Sequence, residues 1–446
     1  MKHIVKYICC IAALGLSAGP FPLFGFENEG GYDAMSQWEI QSDSVPNQAE
    51  GRKFVSMLGF DVRPSYAFSS YLDDVLSESL SMENAKITHF ATSLNLKYAF
   101  SFTNATEIGR TYPGVWQGVG AGVNIFQHPD AIGVPVSVYL FQGAPIVYFT
   151  DRLSLDYEWN FGVSAGWKPC NGIDGRSNII VGSRVNAYIN LGVGLRWQLT
   201  DKISFIAGLD LTHFSNGNTS SPNPGVNMAG IRVGVTRTFG DKVSQIGERR
   251  LTPFSHTLNA DDAFSNDSNR RSPKISYDLT AYGAWRKRVY RGGETPLLLN
   301  GHFAIAGLNF APMWDVKRYF RAGLSADLQW DKSTDQKRHY ISGTTAEDIR
   351  FSRAPFFSQL SAGLSARAEL VMPYFSVNVG IGYNLIGPSE ARASYQLANL
   401  KIHLTRSLYL NIGYQLQDFQ RQNNLMLGMG YTFHNSYSKI SVVNNY

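Results

Sequence analysis

Cysteine, charge and long apolar runs are scarce in this chain, and each scarcity removes a class of protein. There are three cysteines. Cys9 and Cys10 lie in an apolar run from Ile8 to Leu16 that follows Lys2, His3 and Lys6 and precedes small residues and prolines up to Phe26. That order reads as a secretory signal peptide over residues 1–25, cleaved between Ala18 and Gly25, which removes both cysteines. They sit too early in the run for a lipidation cysteine, and Cys170, left alone, excludes an internal disulfide. Beyond the leader nothing approaches about 18 consecutive apolar residues, so a helical membrane span is excluded. Charged residues make up 17% and the net charge is +5, too mild to imply a nucleic-acid partner. No Cys/His cluster has metal-ligand spacing and no glycine-rich phosphate loop is present, so neither a metal nor a cofactor is inferred.

What the chain has is aromatics at 13%, with 42 glycines and 23 tyrosines, arranged with a period of two. Gly51 to Phe68 is a weak first strand. Phe90 to Phe100, Val119 to Ile125 and Ile132 to Leu140 each carry an apolar alternate face. From Leu153 to Trp167 every odd residue is apolar or aromatic, while the even ones are Ser154, Asp156, Glu158, Asn160, Gly162, Ser164 and Gly166. Val185 to Leu199, Ile203 to Ser215 and Asn227 to Phe239 complete eight strands. Alternation alone does not separate a soluble sandwich from a barrel. Length does help, because these segments exceed the usual strand of about five or six residues and match the roughly 9 to 11 of a tilted membrane strand.

The connections agree with an outer-membrane β-barrel. Thr150 to Arg152 and Thr200 to Lys202 are tight turns, whereas Cys170 to Asn178 and Asn216 to Val226 are long and rich in Gly, Asn, Pro and Ser. With a periplasmic start, the strand from Ile203 runs outward and brings its end to the outer leaflet. Residues 241–273 lack a dyad period and read as a linker. Eight further candidate strands follow: Ile275–Trp285, Phe303–Ala311, Phe320–Trp330, Ala362–Leu370, Phe375–Leu385, Leu397–Leu404, Leu408–Leu416 and Leu425–Phe433. The expected fold is therefore an all-β, antiparallel eight-stranded barrel over residues 51–240, then a second barrel-like repeat over 274–434. The alternative is one sixteen-stranded barrel with a water-filled lumen, a structural or pore-forming protein.

One stretch carries chemistry. Ile203, Phe205, Ala207, Leu209, Leu211, His213 and Ser215 share a face, apolar until its last two positions. If this strand pairs with the next, Asn227 joins them on the same greasy surface. A nucleophile, a base and an orienting amide there suggest chemistry on a lipid. The competing reading makes them interfacial polar residues, relieved by headgroup water of the roughly 1 to 3 kcal/mol that an unpaired hydroxyl or imidazole costs in apolar surroundings. The second half lacks the constellation: its matching face carries Ile412, Tyr414, Leu416 and Asp418, and His403 falls on a polar face. Asp156, Glu158, Arg196, Asp210 and Arg232 fall on polar faces and read as a charge network inside a narrow barrel.

His213-Phe-Ser-Asn-Gly217 followed by Pro222-Asn-Pro-Gly-Val-Asn227 resembles the signature of PagL-type lipid A deacylases, the acyloxyacyl hydrolase family. The resemblance covers about residues 85 to 240, including Tyr112 to Gly118 and Tyr157 to Gly162. It implies an eight-stranded outer-membrane enzyme that hydrolyses an acyl ester of lipid A in lipopolysaccharide. It further implies Ser215 as nucleophile, His213 as general base, and Asn216 with the backbone near Gly217 as oxyanion site. The chain departs from the family at Asn227, where an acidic residue would complete the triad. An Asn carbonyl can still accept the imidazole N–H and fix its tautomer, but brings no full charge to an imidazolium. That departure leaves open a protein that binds lipopolysaccharide without cleaving it.

Overall fold

The computed structural model describes residues 53–68, 89–103, 106, 108–109, 112–169, 181–217, 219, 225–240, 275–287, 289–290, 297–298, 301–317, 319–334, 337–340, 349–352, 354–388, 393–405, 407–417 and 421–433. The expected signal peptide, the expected linker and the Cys170 to Asn178 loop lie outside them.

Eight strands close into a first antiparallel barrel. They are β1 (Phe54–Phe68), β2 (Phe90–Phe102), β3 (Trp116–Phe126), β4 (Gly133–Tyr148), β5 (Leu153–Trp167), β6 (Val185–Gln198), β7 (Ile203–Ser215) and β8 (Val226–Phe239). Each pairs with its chain neighbour, and β1 pairs with β8 to shut the cylinder. The second half adds β9 (Ile275–Arg286), β10 (Val289–Tyr290), β11 (Leu297–Leu298), β12 (Phe303–Lys317), β13 (Phe320–Asp331), β14 (Lys337–Tyr340), β15 (Ile349–Ser352), β16 (Leu360–Val371), β17 (Phe375–Ile386), β18 (Ser394–His403), β19 (Leu408–Gln417) and β20 (Arg421–Phe433). Of these, β10 with β11 and β14 with β15 form small separate hairpins. The other eight close into a second barrel through β9 and β20. The single sixteen-stranded barrel is thereby corrected. Register closes each half upon itself, and eight strands enclose only enough room for side chains.

Alternation does what the period demands. Outward positions such as Val138, Val163, Leu191, Leu209, Leu324 and Leu364 are exposed aliphatics, the surface that hydrocarbon tails cover. No helix among the described residues is long and apolar enough to cross a membrane. These barrels cross the bacterial outer membrane with strands.

The inward positions fill each lumen in layers. In the first barrel Lys97 Nζ donates to Asp61 and Glu158 at 2.7 and 2.8 Å, and Arg232 Nη1 donates to Glu158 Oε1 at 2.6 Å. Arg63 Nε reaches Asp61 at 2.7 Å, and Arg196 Nε reaches Asp156 at 2.5 Å. Glu158 and Arg232, with Asp210 3.4 Å from Arg232 Nε, thus belong to the interior charge network expected of them, while Arg196 and Asp156 make a separate, part-buried pair. Asp61, Arg63 and Lys97 join from strands whose pattern gave no such hint. Nearer the site, the lumen holds an aromatic plug of Phe126, Tyr139, Phe141, Trp167, Tyr188 and Phe214. The second barrel repeats the principle, with Lys401 Nζ donating to Asp278 at 2.6 Å and Arg321 pairing with Glu369.

Two local expectations change. Ile132, expected on a strand, lies in a helical turn at Pro129–Ile132 and packs inward on the aromatic plug. Pro129 suits the first turn of a helix, and Gly133, at φ 97°, redirects the chain into β4. The residues from 103 to 115 join β2 to β3 at the end that elsewhere carries tight turns, so the division into short and long connections is not strict.

The barrels touch. Tyr374 packs on Phe100 and Phe102, and Phe375 meets Trp159 edge-on with centroids 5.5 Å apart. Gln142 sits on the outward side of β4 yet is fully buried, donating to Tyr157 Oη at 2.9 Å and accepting from Trp159 Nε1.

Two outcomes follow from this filling. Purified protein in planar bilayers is expected to give no conductance steps, and discrete porin-like openings would contradict the closed lumens. Glu158→Ala removes the carboxylate that Lys97 and Arg232 share, leaving Lys97 to Asp61 and Arg232 to Asp210 alone, and is expected to destabilise the fold by about 3 kcal/mol, read as the shift of a urea unfolding midpoint in detergent at constant slope.

Candidate active site

β7 alternates between two jobs. Thr212 and Phe214 point inward, where Thr212 accepts from Asn190 Nδ2 at 2.9 Å and Phe214 wedges between Trp167 and Tyr188 at centroid distances of 5.0 and 5.3 Å. Packing on both sides of that ring fixes the end of the strand. His213 and Ser215, one step to either side of Phe214, consequently face outward.

Register brings Asn227 to His213 as direct partners across the β7–β8 ladder. His213 Nδ1 lies 2.6 Å from Asn227 Oδ1. A carbonyl oxygen can only accept, so Nδ1 carries the proton and Nε2 of a neutral ring keeps its lone pair. That tautomer is the one a base beside Ser215 requires. Among the described residues no hydrogen bond joins His213 to Ser215, a common situation before substrate tightens a site.

Ser215 is the last residue of β7, opposite Ala187 on β6 and beyond the final β7–β8 pair at Phe214 and Val226. It is 7% exposed, and Asn216 is 5%. The chain then turns sharply: the Asn216 carbonyl accepts the Thr219 N–H at 3.2 Å and the Thr219 hydroxyl at 2.8 Å. Gly217, at φ 61°, supplies the left-handed residue the turn needs. Pro222 to Pro224 lie outside the described residues.

Gly225 was not singled out by its sequence context. It sits at φ 77°, and a Cβ there would stand 3.1 Å from His213 Cε1 and 3.6 Å from Ser215 Cβ. The backbone entering β8 therefore closes directly over both side chains. The Pro-Gly step before Asn227 was the available signal, since proline followed by glycine marks a tight turn.

Below the site, Leu191, Leu209, Leu211 and Ile231 form an exposed apolar apron. Small residues flank it: Ala187 pairs with Ser215, and Ala229 with Leu211. An acyl chain in the membrane can lie along this face with its ester at Ser215. His403 lies elsewhere, inside the second barrel, its Nε2 2.7 Å from the hydroxyl of fully buried Ser376. Ile412, Tyr414 and Leu416 lie on the outward side of β19, and Asp418 falls outside the described residues.

Comparison with known families is decisive for identity. Residues 87–236 match the family described as lipid A 3-O-deacylase (PagL), and residues 275–435 match the family described as acyloxyacyl hydrolase, C-terminal domain. The chain belongs to the acyloxyacyl hydrolase family. The match extends through both barrels, where the motifs pointed only to the first. Acyloxyacyl hydrolases of the PagL type are ester hydrolases that act on lipid A, and this chain is a member with both barrels represented.

A search of the curated proteins finds no relative. Among solved structures, neisserial surface protein A is 9% identical with a TM-score of 0.28, covering 41% of this chain and 97% of that one. The outer membrane enzyme PagL is 14% identical with a TM-score of 0.25, covering 39% and 97%. The siderophore receptor PirA from Pseudomonas aeruginosa is 9% identical with a TM-score of 0.23, covering 86% and 81%.

The site generates a direct test of the close approach at Gly225. Gly225→Ala both strains a left-handed backbone position and crowds the His213 ring. Turnover is expected to fall by about tenfold, the equivalent of roughly 1.4 kcal/mol, with the unfolding midpoint changed little. Wild-type turnover in this variant would show that the backbone there does not confine the site.

Proposed function

We propose that the protein removes one fatty acyl chain from lipid A, at the 3-O position named for its family, using Ser215, His213 and Asn227. The observation that carries this reading is the 2.6 Å contact of His213 Nδ1 with Asn227 Oδ1, two residues from Ser215 on the lipid-facing side of β7. Ser215 Oγ attacks the ester carbonyl while His213 Nε2 takes its proton. The tetrahedral oxyanion forms beside Asn216 and the Gly217 backbone, the groups suited to donate to it. Collapse expels the sugar oxygen, which takes the proton from His213 and leaves as a hydroxyl. Water, deprotonated by His213, then attacks the acyl-enzyme and releases the free fatty acid.

Asn227 holds the imidazole in the right tautomer without lending charge to the imidazolium. Hydrogen bonds to ionised groups are roughly twice as strong as neutral ones. Asn227→Asp is thus expected to raise turnover by about tenfold, for roughly 1.4 kcal/mol gained in the transition state. The same absence of charge favours a second reading, in which the protein binds lipopolysaccharide without cleaving it.

Mass spectrometry of lipid A incubated with the purified protein separates these. Loss of one hydroxyacyl mass is expected with wild type and not with Ser215→Ala or His213→Ala. An unchanged mass with wild type, alongside cleavage by Asn227→Asp, would identify a binding protein one substitution from an enzyme. Cleavage by Ser215→Ala would sink the assignment of the nucleophile.

A further inference from the structure

The second barrel reaches the site of the first. Gly217, two residues past Ser215, is buried, and what covers it is Leu425 of β20: a Cβ at Gly217 would lie 2.3, 2.5 and 2.7 Å from Leu425 Cγ, Cδ2 and Cδ1. The leucine thus occupies the space that any side chain at position 217 would need. Leu425 belongs to the outward row of β20 with Leu427 and Met429, both of which remain exposed at 42% and 47%. Leu425 itself is only half-exposed, because the first barrel covers it.

We infer that Leu425 is a positioning residue for the reaction: the second barrel seats the Asn216–Gly217 turn and so fixes the backbone that the oxyanion would meet. This rests on the assignment of Ser215 as nucleophile. The physical need is clear, since a turn at a barrel rim has water on one side and little to restrain it, while oxyanion donors act only when held in place beforehand. The turn is held from within by the Asn216–Thr219 hydrogen bonds and from outside by Leu425. Away from the site, Tyr374 packs on Phe100 and Phe102 at the opposite end of β2, and Phe375 meets Trp159 midway along β5, so Leu425 arrives on a braced wall. The role gives the second barrel a function without any chemistry of its own.

The test is a cycle in the full-length protein on micellar lipid A, with turnover expressed per Ser215 titrated by a fluorophosphonate, so that misfolded molecules are not counted. Leu425→Ala is expected to lower kcat by about tenfold, as misplacement by a fraction of an ångström does, with KM changed less than about twofold. Leu425→Met, which refills the space, restores most of that loss. Gly217→Ala is expected to be impaired both by its left-handed backbone, which Leu425→Ala leaves strained, and by its clash with Leu425, which Leu425→Ala removes; the double variant is therefore expected to recover about fivefold over Gly217→Ala without reaching wild type, the coupling expected of residues in contact. Wild-type kcat in Leu425→Ala, or a double variant no better than Gly217→Ala, would overturn the inference while leaving the nucleophile in place. Hydrolysis by folded Ser215→Ala at the wild-type rate per mole of protein would instead overturn the catalytic assignment on which it rests.

Discussion

Hydrocarbon offers a peptide group no partner, and the structure depends on that constraint. Every backbone N–H and C=O at membrane depth must pair within the protein, so strands that cross must close on themselves. Here they do so twice, β1 on β8 and β9 on β20. Closure with eight strands leaves an interior only as wide as its side chains. The polar half of each strand is then forced into a space without bulk water, where charges must neutralise one another. Lys97, Asp61, Glu158 and Arg232 form one such set, and Lys401, Asp278, Glu369 and Arg321 the other.

A filled interior dictates where chemistry can occur. Substrate cannot enter a filled lumen, and the site proposed for it lies accordingly on the perimeter, near a rim where polar groups can meet water. The end of β7 meets both conditions. Its inward residues anchor in the aromatic plug, and that anchorage is what aims His213 and Ser215 at the lipid. Fold and site are therefore two faces of one strand, and the residue between them, Phe214, belongs to both.

Much of this was legible in the order of residues because a membrane strand writes both faces into its period. The pattern located all sixteen barrel strands, and the contact of His213 with Asn227 follows from pairing two strands around one loop. The pattern failed where a residue's role depends on tertiary closure. Arg63 lies beside Pro64 in a segment whose alternation is poor, so its place in the charge network was hidden. Gln142 is polar at an outward position, a mismatch for lipid that makes sense only once a second barrel covers it. Whether the strands closed once or twice depended on register between distant strands, which no local period encodes.

The second barrel poses its own physical problem, because two apolar cylinders in lipid gain nothing from the hydrophobic effect by touching. Their association needs contacts that lipid cannot imitate. The structure supplies buried amide and phenol groups satisfied across β4 and β5, with Gln142 bonded to Tyr157 and Trp159, under a cover of Met372 and Phe375. Those hydrogen bonds lie within the first barrel, so what the second barrel adds is the close packing of Met372 and Phe375 over them, which fluid tails match less well. One chain carries both barrels, which makes the docking intramolecular and raises the effective concentration of each for the other. A weak lipid-phase contact thereby becomes a fixed wall, and a fixed wall is what the turn after Ser215 rests against.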